Sequence, residues 1–228
     1  MTALLVLAKS PVAGRVKTRL GADVGMDEAA ALAAESLLDT LAAGASAFGP
    51  DRCHLALEGD LLEAVRSREL REALLDWHVR PQSDGELGVR IAAAHRALEG
   101  DGVDGPVLQV GMDTPQVDAD LLHELALALL DPRGPDAVLG EATDGGWWVL
   151  GTRDPAYAAA LAGVPMSTPT TYADTLAALV ASDLHVAPTR VITDVDDVAS
   201  ASLVARQAPH TRFGRAWNQL PANAGGVS

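Results

Sequence analysis

Leu4-Leu5-Val6-Leu7-Ala8 runs directly into Lys9-Ser10-Pro11-Val12-Ala13-Gly14-Arg15-Val16-Lys17-Thr18-Arg19-Leu20. The apolar run is short enough for one buried strand, and Pro11 and Gly14 mark the loop that follows. That loop carries four cations in a chain of net charge −14, and Lys9 and Lys17 are the only lysines, so the sign of the charge reverses locally. Ammonium groups are compact point charges, guanidinium groups are forked donors, and glycine lets backbone amides approach oxygen closely. Together they suit a di- or triphosphate. A solvated basic loop pairing with the acidic surface accounts for the same cluster.

Outward from this stretch, β-rich apolar runs alternate with alanine- and leucine-rich helical patterns. The pattern predicts strands at Ala3 to Ala8, Cys53 to Leu57, Trp77 to Arg80 and Val107 to Val110. Between and after them it predicts helices at Asp27 to Ala43, Leu61 to Leu75, Val89 to Leu98 and Ala119 to Leu130. Such alternation gives a mostly parallel sheet with helices on both faces. Beyond Asp136 two strands, Ala137 to Leu139 and Trp147 to Leu150, flank a Gly-Gly turn and are expected to pair antiparallel or to sit at a sheet junction. A helix near Thr171 to Ser182, a strand Leu184 to Ala187 and a helix Val195 to Arg206 follow. One domain is expected over 1–208, with 209–228 an irregular, loosely held tail.

At 228 residues and 48% hydrophobic content the chain can bury a core of one α/β domain. Its single cysteine, Cys53, excludes an internal disulfide and reads as a buried strand residue. The N-terminal apolar run lacks a basic leader, and no stretch approaches a membrane span, so a cytoplasmic protein without a membrane partner is expected. One basic loop on an acidic chain argues against nucleic acid, which demands a broad basic surface. The histidines show no metal spacing. No Gly-x-Ser-x-Gly elbow or Walker lysine is present, and no Gly-x-Gly-x-x-Gly follows the first strand.

In open sheets of this kind ligands bind at the carboxyl ends of the strands, so residues directly after strands are the ones to inspect. Val107-Leu108-Gln109-Val110 is followed by Gly111-Met112-Asp113-Thr114-Pro115, which makes Asp113 the best metal-ligand candidate; a turn or helix-capping role is the plainer account. Thr193-Asp194-Val195-Asp196-Asp197 precedes the last helix. Asp194 and Asp196 can share a cation with Asp113, while Asp196 or Asp197 caps the helix. In Pro81-Gln82-Ser83-Asp84-Gly85-Glu86-Leu87-Gly88-Val89-Arg90, backbone near Gly85 and Gly88 can read a base edge and Arg90 can touch phosphate or base; a flexible surface loop is the alternative. Thr143-Asp144-Gly145-Gly146-Trp147 leaves room for an acceptor molecule, although a hairpin turn explains its glycines equally well. Trp147 and Trp148 alternate faces, so at most one of them lines a pocket.

These motifs, in this order and spanning the chain to about residue 206, resemble a bacterial family of uncharacterised proteins usually labelled glycosyltransferase-like, within the nucleotide-diphospho-sugar transferase (GT-A) superfamily. The family is also similar to the guanylyltransferases of cofactor F420 synthesis and molybdenum-cofactor maturation. The resemblance implies a Rossmann-like GT-A domain that uses a nucleotide and Mg²⁺ or Mn²⁺. It places Lys9, Gly14, Arg15, Lys17 and Arg19 on phosphates, Gly85, Gly88 and Arg90 near the base, and Asp113, Asp194 and Asp196 on metal. Thr143, Asp144, Gly145, Gly146 and Trp147 fall in the acceptor region. There the chain departs from the family pattern, with Glu141 where a Gly-Pro run is common and Trp147-Trp148 in place of tyrosines.

Nucleotidyl transfer must stabilise charge on the α-phosphate and on departing pyrophosphate, which calls for cations in addition to the metal. Four cations in one loop therefore favour a nucleotidyltransferase acting on a nucleoside triphosphate and a small anionic acceptor, with Lys17, Arg15 and Asp113 as catalytic residues. The family label favours a glycosyltransferase with a nucleotide-sugar donor, and an inactive nucleotide-binding module is a third reading. A monomer or homodimer is expected.

Overall fold

The computed structural model describes residues 1–220. Its strands are β1 (Ala3–Lys9), β2 (Cys53–Glu58), β3 (His78–Pro81), β4 (Val107–Val110), β5 (Ala137–Glu141), β6 (Trp147–Thr152) and β7 (Val186–Pro188). They form one seven-stranded sheet in the order β3-β2-β1-β4-β6-β5-β7. Only β6 runs antiparallel, to β4 on one side and β5 on the other, so the tightly joined pair after Asp136 is both a hairpin and the junction of the sheet. The strand order reverses between β1 and β4, which are parallel neighbours. The sheet is short-edged: β3 and β7 flank it and end in Pro81 and Pro188.

The helices are α1 (Thr18–Val24), α2 (Met26–Phe48), α3 (Ser67–Ala73), α4 (Leu87–Gly100), α5 (Ala119–Leu130), α6 (Thr171–Ala181), α7 (Val198–Gln207) and α8 (Arg212–Asn218), with a 3₁₀ helix at Pro155–Gly163. The two-residue period of β1 explains how they divide between the faces. Leu4, Val6 and Ala8 point to one side and join Leu37 and Leu41 of α2, Leu70 of α3 and Leu122 and Leu125 of α5. Ala3 and Leu5 point to the other, where Leu98 of α4 packs, and Ile91 of α4 continues that layer with Leu161 and Leu179. The result is the single α/β domain expected from the sequence, a mostly parallel mixed sheet with helices on both faces.

Several boundaries differ from expectation. The helix expected over Leu61 to Leu75 is confined to α3, which begins after Arg66 in a left-handed conformation (φ 57°). The last long helix starts at Val198 and not at Val195, because Asp197 caps it, accepting from the Ser200 amide at 2.8 Å. The irregular tail expected from 209 is corrected over Arg212–Asn218, which is helical and firmly seated: Phe213 is fully buried and the Arg212 and Phe213 amides both donate to Asp39 at 2.9 Å. The remainder of that expectation, 221–228, lies outside the described residues. Cys53 is buried, and burial pushes its thiol up to about 12, which leaves no thiolate nucleophile.

Behind β4, His95 of α4 is fully buried with Nε2 2.8 Å from Gln109 Oε1, so the ring nitrogen is the donor. Burial lowers its pKa to about 4 from an ordinary 6.5, opposed by the hydrogen bond to Gln109. The unfolded chain therefore binds the proton more readily. Stability from neutral His95 is present above pH 6.5 and is withdrawn as pH falls towards 4, by about 3 kcal/mol over that window. Calorimetric unfolding from pH 7 to pH 4 should give a steep acid limb that His95→Gln makes shallower; an unchanged limb would refute the assignment.

Candidate active site

A cleft of about 790 Å³ opens at the carboxyl ends of β1, β2 and β4, beside the reversal of strand order. This is where an open α/β sheet places a ligand, since loops leaving adjacent strands in opposite directions cannot close over the gap.

The loop after β1 forms one wall. Its entry is fixed by the Ser10 amide donating to Glu58 O at 2.8 Å and the Ser10 hydroxyl donating to Asp60 O at 2.6 Å. Tight turning then brings the Arg15 amide onto Val12 O at 3.0 Å. Lys17 ends the loop in the left-handed region (φ 45°, ψ 45°) immediately before α1. A non-glycine residue there costs on the order of 1–3 kcal/mol, and the surroundings hold it because the side chain has a specific destination.

That destination is a pair of carboxylates. Lys17 Nζ lies 3.0 Å from Asp113 Oδ2 and 3.1 Å from Asp196 Oδ1, and its side chain is only 12% exposed. Burial alone lowers the lysine pKa, but the Asp113 and Asp196 charges outweigh it and hold the ammonium above its ordinary range, so it is permanently charged. Arg19 reaches the other oxygen of Asp196 at 3.0 Å from the exposed side. Gly111 makes the Asp113 geometry possible: a Cβ at 111 would stand 2.7 Å from Asp113 Oδ1. The Val195 amide donates to Asp113 O at 2.9 Å, tying the loop after β4 to the segment before α7. Asp194 is left on the same wall. Burial first, then the Asp113, Asp144 and Asp196 charges, push its carboxyl up to about 6, against the opposing pull of Lys17.

The far end of the cleft is built around Arg90. It donates to Glu58 Oε2 at 2.6 Å and Gln82 Oε1 at 2.9 Å, while Gln82 Nε2 donates to Ala8 O and Ala56 O at 2.9 and 3.0 Å. Gly85 lines this end with φ 112°, a conformation that favours glycine. Lys9 pairs with Glu58 at 3.4 Å and Arg15 with Glu63 at 2.7 Å, both near the surface. Opposite, Asp144, Gly146 and Trp147 line the cleft; Trp147 is half-buried, and its Nε1 has no hydrogen-bond partner among the described residues. Trp148 packs in the core on the opposite face and donates to Arg190 O at 2.9 Å, yet it also borders the cleft, so the expectation that at most one of the two tryptophans lines a pocket is corrected: both do.

Lys9, Arg15, Lys17, Arg19, Gly85, Arg90, Asp113, Asp144, Gly146, Trp147, Asp194 and Asp196 all reach the cleft. Four of the candidate residues do not line it. Gly88 packs α4 onto the 3₁₀ helix, where a Cβ would collide with the Leu161 carbonyl. Gly145 (φ 89°) turns the hairpin against the Pro169 carbonyl, Thr143 donates its amide to Ile192 O at 3.1 Å, and Gly14 (φ 75°) shapes the exposed crown of the loop. Their roles are helix packing and turn geometry. Glu58, Gln82 and Gln109 line the cleft without having been singled out. Glu58 carried the same signal as Asp113, a carboxylate closing an apolar strand. Among the described residues, no three His, Cys, Asp or Glu side chains stand as a ready metal cage, and none of the helices is long and apolar enough to cross a membrane.

The family described as uncharacterized protein conserved in bacteria (DUF2064) matches residues 40–168, more than half of the chain. Among solved structures, a protein from Desulfovibrio desulfuricans G20, provisionally described as a nucleotide-diphospho-sugar transferase, is 25% identical; the match covers 98% of this chain and 96% of that one at a TM-score of 0.84. A cytidylyltransferase from Leptospira borgpetersenii matches at 9% identity over 100% and 98% of the chains, TM-score 0.57. CMP:2-keto-3-deoxy-manno-octonic acid synthetase complexed with CTP matches at 10% identity over 91% and 98%, TM-score 0.55. These last two speak to the fold. No curated protein matches by sequence.

Proposed function

The chain belongs to the bacterial family DUF2064, and from that premise, its transferase fold and its cleft we propose that it is a nucleotidyltransferase, moving a nucleoside monophosphate from a triphosphate to a small anionic acceptor. The observation that carries this reading is Lys17, a buried, permanently charged ammonium at the strand switch point, with Arg19 on the same Asp196 and with Arg15 and Lys9 elsewhere on the cleft wall. A nucleotide-sugar donor needs little beyond a metal on its diphosphate. Departure of pyrophosphate concentrates negative charge that fixed cations must meet.

In the proposed reaction a phosphate, phosphonate or carboxylate oxygen of the acceptor attacks the α-phosphorus in line. The bond from the α-phosphorus to the α,β-bridging oxygen breaks, and pyrophosphate leaves with that electron pair. Lys17 and Arg15 neutralise the oxygens on which charge develops. No proton has to be removed from an acceptor that is already an anion, so no general base is required. Gly85 and Arg90 bound the end that takes the base, and Asp144, Gly146 and Trp147 bound the end that takes the acceptor.

The donor set also fits a hard divalent cation. Asp113, Asp194 and Asp196 offer only carboxylate oxygens, the hard ligands such a cation takes. Asp113 with Asp194 or Asp196 would hold Mg²⁺ or Mn²⁺, which when bound would neutralise phosphate charge.

A thermal-shift panel in Mg²⁺, comparing free triphosphates with nucleotide sugars, tests the reading. A triphosphate at about 100 times its Kd should raise the melting temperature by about 5–10 °C. Stabilisation by nucleotide sugars alone would transfer the assignment to a glycosyltransferase.

A further inference from the structure

In this structure the position between Asp113 and Asp196 belongs to a cation that is part of the chain. Lys17 Nζ bridges Asp113 Oδ2 and Asp196 Oδ1 at 3.0 and 3.1 Å. Three further charged groups complete the surroundings: Arg19 on the outer oxygen of Asp196, and Asp194 and Asp144, whose charges act on one another across the wall. The Lys17 backbone sits in the left-handed region at the start of α1 and the stem is buried, which aims the ammonium into the cleft and leaves its end to choose between the carboxylates and an anion bound there.

We propose that Lys17 is the resident counter-ion of the carboxylate cluster and competes with a divalent cation for Asp113 and Asp196, so that the metal enters tightly only after phosphate has drawn the ammonium away. The proposal rests on the assignment of these carboxylates to metal under the proposed function and adds an order to the binding events. An ammonium and a dication in contact with the same two oxygens repel each other in a partly desolvated site, so each weakens the other's hold on them. A triphosphate gives Lys17 an alternative anion, and moving the ammonium onto phosphate frees two carboxylates. Metal and nucleotide then favour each other reciprocally, through one side chain. The bare protein is kept from holding a metal ion without substrate.

The test is Mn²⁺ binding to the nucleotide-free protein, followed by the paramagnetic resonance signal of free Mn²⁺ and by calorimetry. Lys17→Met keeps the buried stem and removes the charge; Lys17→Gly suits φ 45° and guards against a folding defect in the first variant. Both should bind Mn²⁺ on the order of tenfold to a hundredfold more tightly than the wild-type protein, and Asp113→Asn placed in either background should abolish the gain. Equal affinity in wild type and Lys17 variants, still sensitive to Asp113→Asn, overturns the competition and leaves the metal assignment standing. Absence of any Asp113-dependent binding in all three overturns both.

Discussion

Lys17→Met should lower kcat/KM for nucleotidyl transfer by about a hundred- to a thousandfold, the cost of removing one preorganised donor aimed at developing charge. The expected loss is large because the group is buried, permanently charged and fixed by its own backbone, so no neighbour can take its place. Arg15 and Arg19 are exposed and already paired with Glu63 and Asp196. Pyrophosphate release, measured with whichever triphosphate stabilises the protein, reads the effect directly. The loss should fall chiefly on kcat, since the charge Lys17 meets is greatest as pyrophosphate departs. A variant within tenfold of wild type would remove Lys17 from the chemistry. The same substitution is expected to tighten metal binding while it slows transfer, a pair of opposite effects that general damage to the fold does not produce.

Phe213→Ala should destabilise the protein by about 3–5 kcal/mol, the usual cost of emptying a fully buried aromatic site. For a chain of this size that lowers the melting temperature by roughly 10 °C or more. Phe213 closes a satellite core built from Leu20 of α1, Leu32 of α2, Val195 ahead of α7 and Val204 within it, with Trp217 stacked beside it at 6.5 Å. Two of those neighbours follow functional segments closely: Leu20 comes just after Lys17, and Val195 lies between Asp194 and Asp196. A cavity there loosens both walls of the cleft at once, so the triphosphate-induced shift should shrink along with the baseline. A drop under 1 kcal/mol by chemical denaturation would show that α8 is an accessory to the core.

Phe213 is also where reading the sequence fell furthest short. Thr211-Arg212-Phe213-Gly214-Arg215 has too few apolar residues to announce a helix. What stabilises it is remote in sequence: Asp39 receiving its first amides and Glu35 holding Arg212 at 2.7 Å. Local pattern carries no trace of such contacts. The start of α1 was invisible for a related reason, since Lys17 enters it left-handed and no side chain caps it. The 3₁₀ helix Pro155–Gly163 is an alanine-rich run without a polar face, so it offered no period to read. By contrast, α5 emerged at Ala119–Leu130 as expected from its alanine- and leucine-rich pattern; its cap is Asp118, whose side chain accepts from the Leu121 amide, and not Asp113.

Within the cleft, Lys17 was singled out by the cations clustered after the first strand, and Asp113, Asp194 and Asp196 by their places after strands, where a turn or a helix cap explains an aspartate at least as well. That they meet was not legible, because convergence depends on strand order. Glycines were the ambiguous signal. Gly85 and Gly88 sit three residues apart in one loop-to-helix segment, yet one faces the cleft and the other admits the Leu161 carbonyl. Both need the absence of a side chain, and the sequence does not say which neighbour requires it.

The two proline-ended border strands limit how molecules of this protein can meet. An incoming strand laid along β3 would find four residues and then Pro81, which has no amide to donate; along β7 it would find three and then Pro188. Neither border can template a continuous ladder. Among the described residues, growth of the sheet from molecule to molecule, the route by which concentrated α/β proteins turn fibrous, is therefore disfavoured at both borders.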